Sequence, residues 1–214
     1  RAGGAAGVAP GAPRGMTMEA EAGDRVRITL GRGLFVCVVG PSGAGKDTLI
    51  DHARRRLAGE GERFVFPRRL VTRAASTAED HDVLTEEAYG AGVAGGAFSL
   101  YWRAHGLGYA LPRSVETALA NGSVVVCNIS RAQVAGAREA FDRIAVVLVT
   151  APDAVIARRL AARGRESAET IAARLARGKA VVPDRAPDLT IVNDGGVEAA
   201  GEKLVAFLRG ALRD

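Results

Sequence analysis

The stretch Leu34-Phe35-Val36-Cys37-Val38-Val39-Gly40-Pro41-Ser42-Gly43-Ala44-Gly45-Lys46-Asp47-Thr48 constrains this chain more than any other. An apolar run of strand length enters a glycine-rich turn. A helical pattern then starts at Lys46, with Leu49, Ile50, Ala53 and Leu57 on one face. That order is what a phosphate-binding loop requires. Glycines let successive backbone N–H groups face a polyphosphate, the helix N-terminus adds partial positive charge, and the lysine reaches the β- and γ-phosphates. With 27 glycines in 214 residues a bare G-x-x-x-x-G-K would arise by chance, and it is the flanking strand and helix that argue against coincidence. The reading is a nucleoside triphosphate held by Gly40, Pro41, Ser42, Gly43, Ala44, Gly45, Lys46, Asp47 and Thr48. Asp47 stands where the general motif has a magnesium-binding Ser or Thr. Its place beside Lys46 favours a metal role, direct or through water, over simple stabilisation of the helix N-terminus by its charge. Thr48 is no easy substitute, because the next helical position points about 100° away.

The rest of the chain bounds the setting. A length of 214 residues and 48% hydrophobic content suit one substantial domain with its own core. No apolar run approaches the roughly 18 residues of a membrane span, so no membrane partner is expected. The two cysteines, Cys37 and Cys127, fall in strand patterns and read as buried hydrophobes in a reduced, cytoplasmic setting. The net charge of +5 does not imply nucleic acid, because aromatics are only 5% and no basic-aromatic stripe occurs. The charge is read as chemistry on small anions.

Residues 1–23 are Ala/Gly/Pro-rich and aperiodic, and are expected to be a disordered leader or upstream extension, with Met16 or Met18 as candidate starts. Residues 24–214 are then one α/β domain. Strands are expected at 34–39, 63–66, 123–128, 144–149 and 189–193, and helices near 46–58, 112–121, 131–140, 152–163, 167–180 and 197–212. Continuous Val/Ile runs predict strands covered on both faces, hence a parallel five-stranded sheet flanked by helices. Pro112 and Pro152 are expected in first helical turns. Residues 67–111 break the rhythm and read as an inserted subdomain over the carboxyl edge of the sheet, where such folds bind ligands. The Gly/Ala tract from Tyr89 to Gly96 within it is expected to be mobile.

Phosphoryl transfer needs positioning and positive charge more than covalent help. Three clusters supply them: Arg68-Arg69-Leu70-Val71-Thr72-Arg73 with Glu79-Asp80-His81; Tyr101-Trp102-Arg103 through Tyr109; and Arg158 to Glu166 with Arg174 and Arg177. The third, about 158–178, reads as an arginine-rich lid. Surface arginines are commonly solvated, which competes as an explanation for Arg158, Arg159 and Arg177, but Arg163 and Arg165 flank Gly164 at a helix break. His81 and His105 are read as structural.

On these residues the chain resembles the guanylate-kinase-like P-loop kinases, and within them the ribose 1,5-bisphosphate phosphokinase family of phosphonate breakdown. The likeness runs from about Leu34 to Leu208. It rests on the Lys46-Asp47 loop, Thr72-Arg73, Glu79 to His81, Tyr101-Trp102 through Tyr109, Asn128-Ile129-Ser130-Arg131, Arg163-Gly164-Arg165-Glu166, Arg174 to Arg177 and Asn193-Asp194. The resemblance implies a P-loop kinase fold with an acceptor-binding insertion, and transfer of the ATP γ-phosphoryl group to ribose 1,5-bisphosphate with Mg2+. It implies Lys46, Arg163 and Arg165 as the charge-stabilising catalytic residues, with Gly43, Gly45 and Thr48 cradling ATP and Asn193 near the adenine. Arg69, Arg73, Tyr109 and Arg131 would hold acceptor phosphates. A monomer or homodimer is expected. Gly108 departs from the family, whose members often carry a second Tyr there.

Two other readings compete. A guanylate or other nucleoside monophosphate kinase would share loop, insertion and lid, but the positions at which guanylate kinases read guanine with carboxylates are Tyr101 and Ser130 here. A base left without its partners there would be rejected strongly. A catalytically inactive binding module is the third reading, against which Lys46 and the lid arginines stand.

Overall fold

The computed structural model describes residues 33–72, 81–104, 106–162, 169–170, 172 and 185–212. Strand β1 (Leu34–Val39) is the centre of a five-stranded parallel sheet that also contains β2 (Phe64–Val65), β7 (Val124–Asn128), β8 (Ile144–Thr150) and β9 (Leu189–Val192), in the order β2-β7-β1-β8-β9. Alternation along β1 sends its side chains into two cores. Val36 and Val38 join Leu49, Ile50, Ala53 and Leu57 of helix α1 (Lys46–Leu57) and Ala200, Leu204, Val205 and Leu208 of the last helix, α6 (Val197–Gly210). Phe35, Cys37 and Val39 join Val115 and Leu119 of α3 (Ser114–Ala120) and Val134 and Ala137 of α4 (Val134–Ala140). Both faces are apolar because both are covered, which is why these strands read as unbroken hydrophobic runs. Cys37 and Cys127 are free and buried, and desolvation pushes both thiols up, so neither is a ready nucleophile.

A second sheet is built from β3 (Arg69–Val71), β4 (His81–Val83), β5 (Phe98–Ala104) and β6 (Leu107–Pro112), in the order β4-β3-β6-β5. Its register places Val71 opposite Tyr109 and Tyr109 opposite Trp102. Leu100, Trp102 and Leu111 on that face are buried in the same core as Phe35 and Val125, which docks this sheet onto the parallel one. The opposite face carries helix α2 (Glu86–Ala94). Its Tyr89 donates a hydrogen bond to the Trp102 carbonyl at 3.1 Å and lies under the Arg103 guanidinium at 4.9 Å. A Cβ on Gly108 would come within 2.8 Å of the Tyr89 ring. Glycine at 108 is therefore the complement of a buried tyrosine at 89.

Three local expectations change. The tract from Tyr89 to Gly96, expected to be mobile, forms most of α2, because Thr85 caps its first turn by accepting from the Ala88 N–H and Tyr89 is buried. Pro112 ends β6 instead of opening a helix, and α3 starts at Ser114. The helix expected over 131–140 begins as a 3-10 turn at Arg131–Gln133. Pro152 precedes α5 (Asp153–Ala162) and its carbonyl accepts from the Val155 and Ile156 N–H groups. The leader at 1–23 and nearly all of the helix expected over 167–180 lie outside the described residues.

Helices α1 and α6 are locked by a charged cluster as well as by packing. His52 and Arg56 converge on Glu202 Oε1 at 2.9 and 2.7 Å, and Gly201 lets the His52 ring approach, since a Cβ there would fall 2.4 Å from it. The hydrogen bond to His52, and then that to Arg56, hold the Glu202 carboxyl below its usual value. A folded-state value below the unfolded one, about 4.3, means a stabilisation present above that pH and lost as pH falls through the depressed value. Glu202→Gln is expected to lower the urea midpoint at neutral pH. The gap to wild type should close as pH is brought below about 4, the carboxylate range, and a gap of constant size would show that the carboxylate charge is not its source.

Candidate active site

The phosphate loop leaves β1 at the carboxyl edge of the parallel sheet, between its neighbours β7 and β8. This is the crevice where open α/β sheets bind their ligands. Gly40, Gly43 and Gly45 have φ of 143°, 84° and 94°, a region that favours glycine. No side chain caps α1, whose N-cap is Gly45, so its first-turn N–H groups face the loop's concavity. Such a nest of N–H groups at a helix N-terminus suits phosphate oxygens. Lys46 Nζ donates to the carbonyls of Gly40 and Pro41 at 2.9 and 3.0 Å, which folds the lysine over the loop. Asp47 and Thr48 are exposed in the first turn of α1.

The loop is held from beneath by residues far away in sequence. Asn193, just past β9, is 2% exposed and donates Nδ2 to the Ala44 carbonyl at 2.8 Å. Turning the amide over would set two oxygens against each other. Its own backbone N–H donates to the Thr150 carbonyl at the end of β8. Arg159 on α5 donates to the same Ala44 carbonyl at 3.3 Å, and Ile156 and Leu160 of that helix lie close under Gly43. Asn193, expected near the adenine, has its amide turned to the underside of the loop at Ala44. Arg159, for which a solvated surface role competed, is a loop brace. Neither contact has a local sequence signal, since Ala44 lies 149 and 115 residues from the two donors.

On the other side of the loop, Asn128 at the end of β7 donates Nδ2 to Asp47 Oδ1 at 2.7 Å, and Arg69 Nη2 of β3 lies 3.9 Å from that oxygen. Arg69 therefore joins the second sheet to the phosphate loop. Tyr109 stacks on Trp102 with ring centroids 5.3 Å apart, on the face of the second sheet that also carries Val71. Tyr101 belongs to the opposite face, with Arg103 and Tyr89. Arg131 opens the 3-10 turn three residues beyond Asn128, and burial draws its guanidinium below its usual value. Arg73, Arg163 and Arg165 lie outside the described residues, as do Glu79, Asp80 and His105.

Two ligands can be tested against this donor set. Among the described residues no group of three or more His, Cys, Asp or Glu side chains converges, so no all-protein metal cage is present. One exposed carboxylate beside a phosphate nest is nonetheless the arrangement magnesium uses, because it keeps waters and takes phosphate oxygens as ligands. Asp47 fits that role, and the loop fits a polyphosphate. Among the described residues no helix is long and apolar enough to cross a membrane.

The chain is 56% identical over 177 residues to a ribose 1,5-bisphosphate phosphokinase of Methylobacterium radiotolerans, covering 83% of this chain and 98% of that one. A ribose 1,5-bisphosphate phosphokinase of Brucella melitensis is 46% identical over 178 residues, with 83% and 91% covered. No protein-family model matches. Among solved structures, a guanylate kinase from Anaplasma phagocytophilum superposes with a TM-score of 0.62 at 18% identity, covering 87% of this chain and 90% of that one, a likeness of fold alone.

Proposed function

Since the chain belongs to the ribose 1,5-bisphosphate phosphokinase family, we propose that it transfers the γ-phosphoryl group of ATP to the 1-phosphate of α-D-ribose 1,5-bisphosphate. The products are 5-phospho-α-D-ribose 1-diphosphate and ADP. What carries this reading is the extent of the match, 56% identity over 98% of a relative's length. The new bond joins a 1-phosphate oxygen to the γ-phosphorus, and the bond to the β–γ bridging oxygen breaks. A phosphate oxygen is already anionic near neutral pH, so no residue need remove a proton.

The protein's task is then placement and charge. The loop from Gly40 to Thr48 binds the triphosphate, and Lys46 leaves the Gly40 and Pro41 carbonyls to meet its outer oxygens. Asn193 and Arg159 keep the Ala44 carbonyl turned away from the phosphates. Magnesium, when bound, neutralises charge on the β- and γ-phosphates, and Asp47 would hold it directly or through water. Arg69, Arg73, Tyr109 and Arg131 are assigned to the acceptor, and the second sheet serves as the acceptor-binding unit. Arg163 and Arg165, which follow α5, are assigned to the transferring phosphoryl group from a lid over about 158–178.

The deciding measurement is ADP release with ribose 1,5-bisphosphate and GMP supplied side by side. The sugar bisphosphate is expected to exceed GMP in kcat/KM by about 10²-fold or more, since a pocket without the partners a base requires rejects it strongly. Turnover of GMP alone would overturn the assignment, and tight nucleotide binding with no transfer to either would favour an inactive binding module.

A further inference from the structure

Three elements meet at one oxygen atom, Asp47 Oδ1: α1 supplies the carboxylate, β7 supplies the Asn128 amide at 2.7 Å, and β3 supplies the Arg69 guanidinium at 3.9 Å. The Arg69 side chain is 14% exposed and that of Asp47 53%, so the cation is the more enclosed of the two and the more sensitive to its neighbours. The remaining charges lining this small cavity, Asp51 and Arg54, are bridged to each other at 2.8 Å. Among the described residues lining this cavity, the field is therefore set largely by Asp47, Arg69 and whatever stands at position 128.

We propose that Asn128 is a specificity-determining residue. Its uncharged amide holds the Asp47 carboxylate in place without adding a second negative charge, and this keeps the Arg69 guanidinium attractive to the phosphates of a doubly anionic acceptor. The inference rests on the reading of the site as a sugar-bisphosphate kinase. An aspartate of the same shape at 128 would set two carboxylates at hydrogen-bond distance, where like charges repel. One of them would turn to Arg69, the nearby cation, and cancel it. Alanine would remove the tether from Asp47 but leave the charge count unchanged. Charge at position 128, more than the lost hydrogen bond, then decides acceptor affinity.

The test is binding of α-D-ribose 1,5-bisphosphate to wild type, Asn128→Ala and Asn128→Asp, without nucleotide or magnesium, by calorimetry and by the fluorescence of Trp102, the chain's one tryptophan. Asn128→Asp is expected to raise the acceptor Kd by about tenfold or more and Asn128→Ala by about threefold at most, tenfold being about 1.4 kcal/mol. In steady state the acceptor KM should follow the same order, and in Asn128→Asp it should rise by more than the KM for magnesium-ATP does, a split that a merely structural role does not produce. Urea unfolding of each variant separates a folding defect from a binding one, and acceptor affinity is compared on the folded fraction. Equal affinity in Asn128→Asp and wild type, or equal losses in Asp and Ala, overturns the inference and leaves the kinase reading intact. A wild type that binds and phosphorylates GMP but not the sugar bisphosphate overturns the sugar-bisphosphate reading, and the inference with it.

Discussion

Lys46→Met is expected to lower kcat for phosphoryl transfer by about 10²–10³-fold while the domain stays folded, the range seen when one donor aimed at developing charge is removed. Methionine keeps most of the lysine stem and loses the ammonium. In the fold, that ammonium bridges the Gly40 and Pro41 carbonyls at 2.9 and 3.0 Å. Losing two such bonds costs about 1 kcal/mol each, against a domain stability of about 5–15 kcal/mol. The structure therefore survives, and the loss falls on the chemistry. Urea unfolding followed through Trp102, beside an ADP-release assay, checks both halves. A raised KM for ATP with kcat unchanged would mean that Lys46 binds ground state and transition state equally, and its assignment as a catalytic residue would have to be withdrawn.

Gly40→Ala is expected to do the opposite and damage the fold before the chemistry. Gly40 has φ of 143°, and a Cβ there would sit 1.9 Å from the Val149 carbonyl oxygen of β8. Strained φ costs about 1–3 kcal/mol and overpacking about 1–3 kcal/mol more. Together these consume a large part of the stability of a marginal domain. The obstacle is main chain inside the parallel sheet, so no rotamer change relieves it. Gly122, with φ of 82° and open space around its missing Cβ, is the control. Alanine there should cost only the left-handed penalty, about 1–2 kcal/mol. Urea midpoints of the two variants measure the difference, and equal shifts would mean that β8 yields to the new methyl group.

The phosphate loop, the five strands of the parallel sheet and the helices α1 and α6 were legible because their signals are local. Leu34 to Val39 is apolar throughout since both its faces are covered, and Leu49, Ile50, Ala53 and Leu57 repeat at helical spacing since one stripe meets the sheet. The residues from Tyr89 to Gly96 misled because glycine content outweighed two stronger features, the Thr85 cap and a buried tyrosine with a hydrogen-bond partner. Composition reports average propensity. A single tertiary contact outweighs it.

By itself, then, the order of amino acids determined that a polyphosphate-binding turn sits between a doubly covered strand and an amphipathic helix, because glycine conformation and hydrophobic period act over a few residues. Only the tertiary structure decided that Asn193 and Arg159 brace that turn through the Ala44 carbonyl, that Tyr89 occupies the space over Gly108, and that Asn128, Asp47 and Arg69 share one oxygen. Those contacts join segments 19 to 149 residues apart, and no local preference specifies them. The contacts at the loop arise where the carboxyl ends of β1, β7, β8 and β9 are brought to one edge by packing on both faces of the sheet, and that of Tyr89 with Gly108 arises where α2 packs on the second sheet.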